Sequence, residues 1–180
     1  TLDAEYGAPA FWGRRYMLSE EPFDWYHGDD YIRPLIKKYA EPEHMILIIG
    51  CGNSTLAAEM YDDGYANIEC VDISRVVIDQ MMEKYKTWMS SLRWYTMNAC
   101  KLQFDDAIFD VCLDKATFDS ILCSSGSSED RRFRIHSMLL EISRCMKKNS
   151  VYIIISHAPP ERRLRLLERK EYDWTVEVET

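Results

Sequence analysis

The sequence predicts an α/β fold: a doubly wound, mostly parallel, Rossmann-like sheet with helices on both faces. Three observations predict it. Short apolar runs alternate with stretches of helical period along most of the chain, the pattern of strands joined by crossover helices. The first run, Met45-Ile46-Leu47-Ile48-Ile49, ends in Gly50-Cys51-Gly52, a turn with no Cβ to hinder a sharp reversal or a close ligand. A second run, Asn67 to Val71, delivers Asp72 at its carboxyl end, where such sheets aim an acidic residue at ribose hydroxyls.

The elements follow in order. Strands are expected near residues 45–49, 67–71, 92–97, 108–113 and 151–156, with a weaker edge strand near 174–178. Helices are expected near 54–63, 75–86, 130–147 and 160–170. The first begins at Asn53 or Ser54 as cap and carries Leu56, Met60 and Tyr61 at helical spacing until Gly64 stops it. The helix before Asn149 sets Ile135, Met138, Leu139, Ile142 and Met146 on one stripe, which packs on the sheet. Residues 123–130, rich in Ser with one Gly, read as a loop after the fourth strand, either a lid or a plain solvated connection.

At 180 residues, 47% hydrophobic and 29% charged, the chain suits one domain over residues 1–180: an N-terminal helical cover at 1–40 and an α/β core at 45–180. No apolar run is long enough to cross a membrane, and no charged-then-apolar leader opens the chain. The net charge of −8 argues against nucleic acid as the main partner and permits a basic one. The six cysteines form no C-x-x-C pair and two lie inside expected strands, the pattern of buried thiols in a reducing, cytoplasmic compartment and not of a metal site or a disulfide framework.

The glycine turn separates two ligand classes. A dinucleotide fingerprint wants G-x-G-x-x-G, but its third glycine position holds Thr55, so no pyrophosphate cradle is expected. Taken alone, a Gly-x-Gly turn also occurs in ordinary α/β folds. Asp72 has an alternative as the cap of the helix starting near Ser74. Trp12 and Tyr16, one helical turn apart, either close over a ligand or dock an N-terminal helix. Trp25 is a ligand contact or a buried anchor, and Asp114-Lys115 is a working pair or an exposed loop pair.

In order and spacing, the strings Phe11-Trp12-Gly13-Arg14-Arg15-Tyr16, Phe23-Asp24-Trp25-Tyr26, Ile49-Gly50-Cys51-Gly52-Asn53-Ser54, Val71-Asp72-Ile73-Ser74, Met97-Asn98-Ala99 and Phe109 to Asp119 carry a family resemblance. Together they resemble the class I, seven-strand S-adenosylmethionine-dependent methyltransferases, within the methyltransferase-like group, and are most similar to the enzymes that methylate lysines of translation elongation factor 1A. The resemblance covers residues 5–156 and implies S-adenosyl-L-methionine as cofactor and S-adenosyl-L-homocysteine as product. It implies that Trp12, Tyr16 and Trp25 cover the cofactor's methionine part and that Gly50 and Gly52 admit its backbone-side approach. It further implies that Asp72 holds the ribose, that Ile73 packs on the adenine, and that Asn98 and Ala99 follow the third strand at the adenine edge. Asn98 stands where the family usually has an acidic residue, and its amide carbonyl still accepts from an amine. Lys115 matches a cofactor-contacting position, and Asp114 is assigned to orienting the acceptor.

The implied partner is a protein substrate offering a lysine, methylated by in-line transfer. No Ser-His-Asp set, metal cluster or paired catalytic acid is evident, so no metal is expected. The alternatives are a noncatalytic module that binds the cofactor to stabilise a partner, and an enzyme acting on a small-molecule amine. Seven-strand members finish with an antiparallel hairpin, and after Ser156 only 174–178 offers a strand, so the final strand is expected to be missing.

Overall fold

The computed structural model describes residues 6–26 and 29–179. Its sheet has five parallel strands in the order β3-β2-β1-β4-β5: β1 Ile46–Ile49, β2 Ile68–Asp72, β3 Arg93–Thr96, β4 Phe109–Lys115 and β5 Met146–Ile155. The order runs outward in both directions from β1, so the crossovers fall on opposite faces. Consecutive side chains of β1 alternate between those faces, and both are covered. Ile46 and Ile48 meet Leu56, Met60, Val77, Ile78 and Met81 of helices α3 (Leu56–Asp62) and α4 (Arg75–Tyr85). Leu47 and Ile49 meet Ile135, Met138, Leu139 and Ile142 of α6 (Ser128–Cys145). That two-sided burial is why β1 reads as an unbroken apolar run.

Two helices precede the sheet, α1 (Pro9–Leu18) and α2 (Asp29–Tyr39). Tyr16 of α1 is 4% exposed and its carbonyl accepts from Gln80 Nε2 of α4 at 2.9 Å, so α1 packs on the same face as α3 and α4. Between α1 and α2, residues 19–26 cross the sheet's carboxyl edge as a strap held by Asn53, Ser54 and Lys115. The stretch expected as an N-terminal cover holds two helices and a strap, and its residues 1–5, 27 and 28 lie outside the described residues.

Several boundaries differ from the sequence expectation for identifiable reasons. A short helix, α5 (Thr117–Leu122), occupies a stretch with no expected element, started by Ala116 in the left-handed region (φ 74°) and capped by Asp114. The expected loop at 123–130 is shorter, because Ser127 and Asp130 form a reciprocal capping box that starts α6 at Ser128. Strand β5 begins at Met146, not 151, and absorbs the end of the expected helix through an irregular pairing between Phe109 and Val111. The charged helix α7 is Pro160–Leu167, followed by a 3₁₀ turn at Lys170–Tyr172.

Residues 174–178 form no strand. Trp174 is drawn instead onto Tyr172 and Tyr152, with ring centroids 4.9 and 5.7 Å away, and its indole N–H donates to the Leu167 carbonyl at 2.9 Å. Glu179 reaches the hydroxyl of Tyr39 (2.7 Å) and the ammonium of Lys38. The tail therefore runs from α6's face to the end of α2, and among the described residues β5 has no outer neighbour.

Candidate functional site

The sheet order reverses between β1 and β4, and α/β sheets open a crevice at such a point, outside the carboxyl ends of the strands. Here β1 ends in Gly50 and Gly52, both at positive φ (60° and 53°). Their lack of a Cβ is required twice over. A Cβ on Gly50 would lie 1.9 Å from Thr117 Oγ1, and one on Gly52 would lie 2.7 Å from the Tyr16 hydroxyl.

Asp72, at the end of β2, faces this turn. Its Oδ2 accepts from Gly52 N–H (3.0 Å) and its Oδ1 from Ser74 N–H (2.8 Å). Burial pushes its carboxyl up to about 6, opposed by those backbone donors. One oxygen serves the turn before α4, whose N-cap is Ser74, and each oxygen keeps a further lone pair. Asn53, expected as a helix cap, does something else. Its Oδ1 accepts from Phe23 N–H (2.9 Å) and its Nδ2 donates to the Glu21 carbonyl (2.8 Å), so it clasps the strap to the glycine turn. The N-cap position falls on Thr55, and Ser54 just before it contributes its Oγ, which accepts from Leu56 N–H at 3.2 Å.

The end of β4 supplies two charged residues with opposite fates. Lys115 enters the crevice, where its ammonium pairs with Asp24 of the strap and donates to Ser54 Oγ at 3.3 Å. Burial draws this ammonium down to about 8, a pull that the adjacent Asp24 carboxylate opposes. Asp114 points away, into the core, with 0% exposure. It accepts from Thr117 N–H (2.8 Å), Phe118 N–H (3.2 Å) and the Tyr152 hydroxyl (3.0 Å), and burial raises its carboxyl to about 7. The sequence reading of Asp114 as the acceptor-orienting residue is therefore corrected. This acid is sealed in the core under three donors, caps α5 and lies outside the cavity's lining.

The cover is aromatic. Trp12 and Tyr16 stack at 5.9 Å and 26°, one helical turn apart, as the spacing predicts. Trp25 packs edge-on against Tyr6 (5.1 Å) and Phe23 (5.6 Å), and Trp12 Nε1 donates to the Tyr6 carbonyl (2.6 Å). Tyr6 in turn is tied to α5, since its carbonyl accepts from Ser120 Oγ at 2.6 Å.

Between cover and sheet lies a cavity of about 510 Å³, within the range usual for small-molecule sites. Trp12, Tyr16, Trp25, Gly50, Gly52, Asp72, Ile73, Asn98, Ala99 and Lys115, every expected cofactor-binding residue, line it, and Asp114 does not. Ile73 turns a 40% exposed apolar side chain toward the opening. Asn98 spends its Oδ1 on Cys100 N–H (2.9 Å) in a local turn, which leaves one lone pair for any ligand amine. The sequence reading passed over Asp24, Tyr6 and Phe133, which also line the cavity. Asp24 was legible as a carboxylate set between aromatics, and Phe133, 70% exposed, falls off the buried stripe of α6. Among the described residues there is no group of His, Cys, Asp and Glu able to hold a metal, and no helix long and apolar enough to cross a membrane.

A family profile described as "Methyltransferase domain" matches residues 46–149. The mouse (Mus musculus) protein named "EEF1A lysine methyltransferase 4" is 32% identical over 178 residues, covering 96% of this chain and 69% of that protein. The human (Homo sapiens) "eEF1A lysine and N-terminal methyltransferase" is 34% identical over 155 residues, covering 86% of this chain but only 22% of that protein. Among solved structures, a S-adenosylmethionine-dependent methyltransferase of Methanosarcina mazei superposes with a TM-score of 0.58 at 20% identity, over 82% of this chain and 65% of that one. Geranyl diphosphate C-methyltransferase of Streptomyces coelicolor, solved with S-adenosyl-L-homocysteine, gives 0.55 at 15%, over 80% of this chain and 55% of that one. The parallel sheet, the glycine turn with its facing Asp72 and these likenesses agree: the chain belongs to the methyltransferase-domain family, with the fold of the class I S-adenosylmethionine-dependent enzymes.

Proposed function

We propose that this chain transfers the methyl group of S-adenosyl-L-methionine to a lysine of a protein, with elongation factor 1A as the acceptor. The observation that carries the cofactor's place is the single cavity uniting the glycine turn, the Asp72 carboxylate and the aromatic cover. In this reading the ribose hydroxyls donate to the two oxygens of Asp72, and Ile73 and Ala99 flank the adenine. The amide of Asn98 meets the adenine edge through its remaining lone pair. The methionine end lies under Trp12, Tyr16 and Trp25 with its carboxylate toward Lys115. Aromatic faces suit a cationic sulfonium, at roughly 0.5–2 kcal/mol each when desolvated. The acceptor assignment rests on the proteins named as elongation factor 1A lysine methyltransferases.

The chemistry asks for position and dryness more than for a catalytic group. A neutral lysine amine attacks the methyl carbon, a C–N bond forms as the C–S bond breaks, and the electron pair stays on sulfur, leaving S-adenosyl-L-homocysteine and a methylated ammonium. The lysine's proton must first leave to solvent, which costs roughly 4–5 kcal/mol at neutral pH from a reference pKa near 10.4. Desolvation of the ammonium against the cover lowers that cost. The unbridged buried thiols Cys51, Cys70, Cys112 and Cys145 support a reducing, cytoplasmic setting.

The test is incubation with labelled S-adenosyl-L-methionine, purified elongation factor 1A and a lysate from cells lacking this methylation. Label on lysine of the factor is expected. Label confined to nucleic acid or small metabolites would overturn the protein-lysine assignment.

A further inference from the structure

Tyr26 ends the strap in a backbone conformation that residues with a side chain rarely adopt, φ 66°. Its hydroxyl donates to Asp119 Oδ2 at 2.7 Å. The same carboxylate accepts from the backbone N–H of His157 (2.8 Å), Ser156 Oγ (2.7 Å) and Nε and Nη2 of Arg163 (3.0 and 2.8 Å). One side chain on α5 therefore fastens the strap, the turn after β5 and α7 at a single point. With Arg163 paired to it, Asp119 is not a free counter-ion for an incoming cation. What it holds in place is a pair of rings. Tyr26 and His157 lie parallel, 3° apart with centroids separated by 6.0 Å, and His157 is exposed. Strained backbone kept by such a network clusters at working sites.

The pair does not line the cavity itself but stands beside its β4 end. Ala116 N–H donates to the Ile155 carbonyl at 3.1 Å, so the turn after β5 abuts the Lys115-Ala116 corner on the side away from β1. Trp25, next to Tyr26 in the chain, lines the cavity. On the methyltransferase reading the cofactor runs from Asp72 and Ala99, beyond β2, toward Lys115 at β4. Displacement in line with the breaking C–S bond brings the amine in from the opposite side of the methyl carbon, over β4 and β5.

We propose that the parallel Tyr26 and His157 rings form the wall that receives the acceptor lysine, with Asp119 as the positioning residue that holds the two rings together. The faces of the rings take the methylene stem by apolar contact and the ammonium by cation–π attraction, so the wall selects an extended primary ammonium over a neutral side chain. This inference rests on the methyltransferase reading of the cavity.

The experiment uses the full chain with saturating S-adenosyl-L-methionine and elongation factor 1A as acceptor. His157→Ala and Tyr26→Ala are expected to raise the acceptor KM by about three- to tenfold each. Their dissociation constants for S-adenosyl-L-homocysteine, measured by calorimetry, should stay within about twofold of the parent. Asp119→Asn should raise the acceptor KM similarly, and Tyr26→Phe, which keeps the ring and loses the hydroxyl, should raise it less. An unchanged acceptor KM in both alanine variants, with cofactor affinity retained, overturns the proposal. A second measurement is independent of the acceptor's identity. The ring-proton resonances of His157 are followed by NMR while n-butylammonium chloride is added to the S-adenosyl-L-homocysteine complex. A saturable shift that Tyr26→Ala abolishes is expected, and no shift overturns the wall whatever protein is methylated. A saturable shift in a parent protein that leaves elongation factor 1A unlabelled would count against that acceptor and in favour of the wall.

Discussion

Replacing Asp72 by Ala separates a ligand-binding carboxylate from a structural one. Each oxygen of Asp72 already takes one backbone donor, Gly52 N–H at 3.0 Å and Ser74 N–H at 2.8 Å, so the substitution removes two internal bonds as well as two ribose contacts. A hydrogen bond to a charged group contributes about 1.5–3 kcal/mol, and some of the loss is recovered by water filling the vacated space. The net weakening of S-adenosyl-L-homocysteine binding should be about 2–4 kcal/mol, or roughly 30- to 1000-fold in Kd. The assay is isothermal calorimetry run in parallel with the 2′,3′-dideoxy analogue, which lacks both hydroxyls. If Asp72 reads the ribose, the analogue binds the parent weakly and loses little further affinity in the variant. An equal loss for both ligands would show that the acid acts only through the turn, and the ribose assignment would fall.

The same residue predicts a pH dependence whose sign follows from its burial. Its carboxyl sits near 6 in the fold, above the value near 3.9 of an exposed aspartate. Ionising it therefore costs folding free energy, and its contribution to stability is lost as pH rises from about 4 to about 6. Binding runs the other way, since two hydroxyl donors need the ionised form. Cofactor affinity should fall as pH drops through 6, and Asp72→Ala should flatten that dependence.

Other outcomes follow from the same geometry. Gly50→Ala should lower the melting temperature and abolish cofactor binding, because the new Cβ would meet Thr117 Oγ1 at 1.9 Å in a left-handed backbone and expel its bond to the Ile49 carbonyl; thermal denaturation with calorimetry checks both. Asp114→Ala should destabilise the protein by about 2–4 kcal/mol, since it orphans two buried N–H groups and a hydroxyl. Asp114→Asn, which keeps an acceptor toward α5, should preserve kcat, and a thousandfold drop in kcat in a stably folded Asp114→Asn would restore the catalytic role that its burial denies. Asn53→Ala should raise the cofactor KM about tenfold while costing only about 1–2 kcal/mol in urea unfolding, because its two bonds hold the strap and not the sheet.

The sheet and the residues that line the cavity at the ends of β1 and β2 were legible because their signals are local. An apolar run, a glycine turn and an acid one strand later have a spacing set by the crossover itself, and Gly50, Gly52, Asp72 and Ile73 fall where that spacing puts them. Trp12 and Tyr16 were legible for the same reason, being one helical turn apart. What was missed depends on contacts distant in sequence. Asn53 looks like a helix cap until the strap's Glu21 and Phe23 arrive to occupy its amide. Asp114 and Lys115 are adjacent, so nothing in the chain says which enters the core. The alternation of side chains along β4 decides it, sending Asp114 beneath α5 and Lys115 into the cavity. Residues 174–178 alternate as a strand should, but the Trp174 indole found a carbonyl and two aromatic neighbours that outweighed a ladder at the open edge.

Those distant contacts share a direction. Asn53 binds the strap at Glu21 and Phe23, Ser54 and Lys115 bind it at Asp24, and Asp119 binds it at Tyr26. The ends of β1 and β4 together with α5 thus hold residues of one short segment, and that segment places Trp25 against the cavity. A ligand entering beneath Trp25 must either pass the rim or lift the strap, and lifting it breaks the Lys115–Asp24 ion pair in a site of low exposure. An uncompensated buried charge is costly, so lifting is favoured when the ligand supplies replacements. The zwitterionic methionine end of the proposed cofactor supplies both, a carboxylate for Lys115 and an ammonium for Asp24.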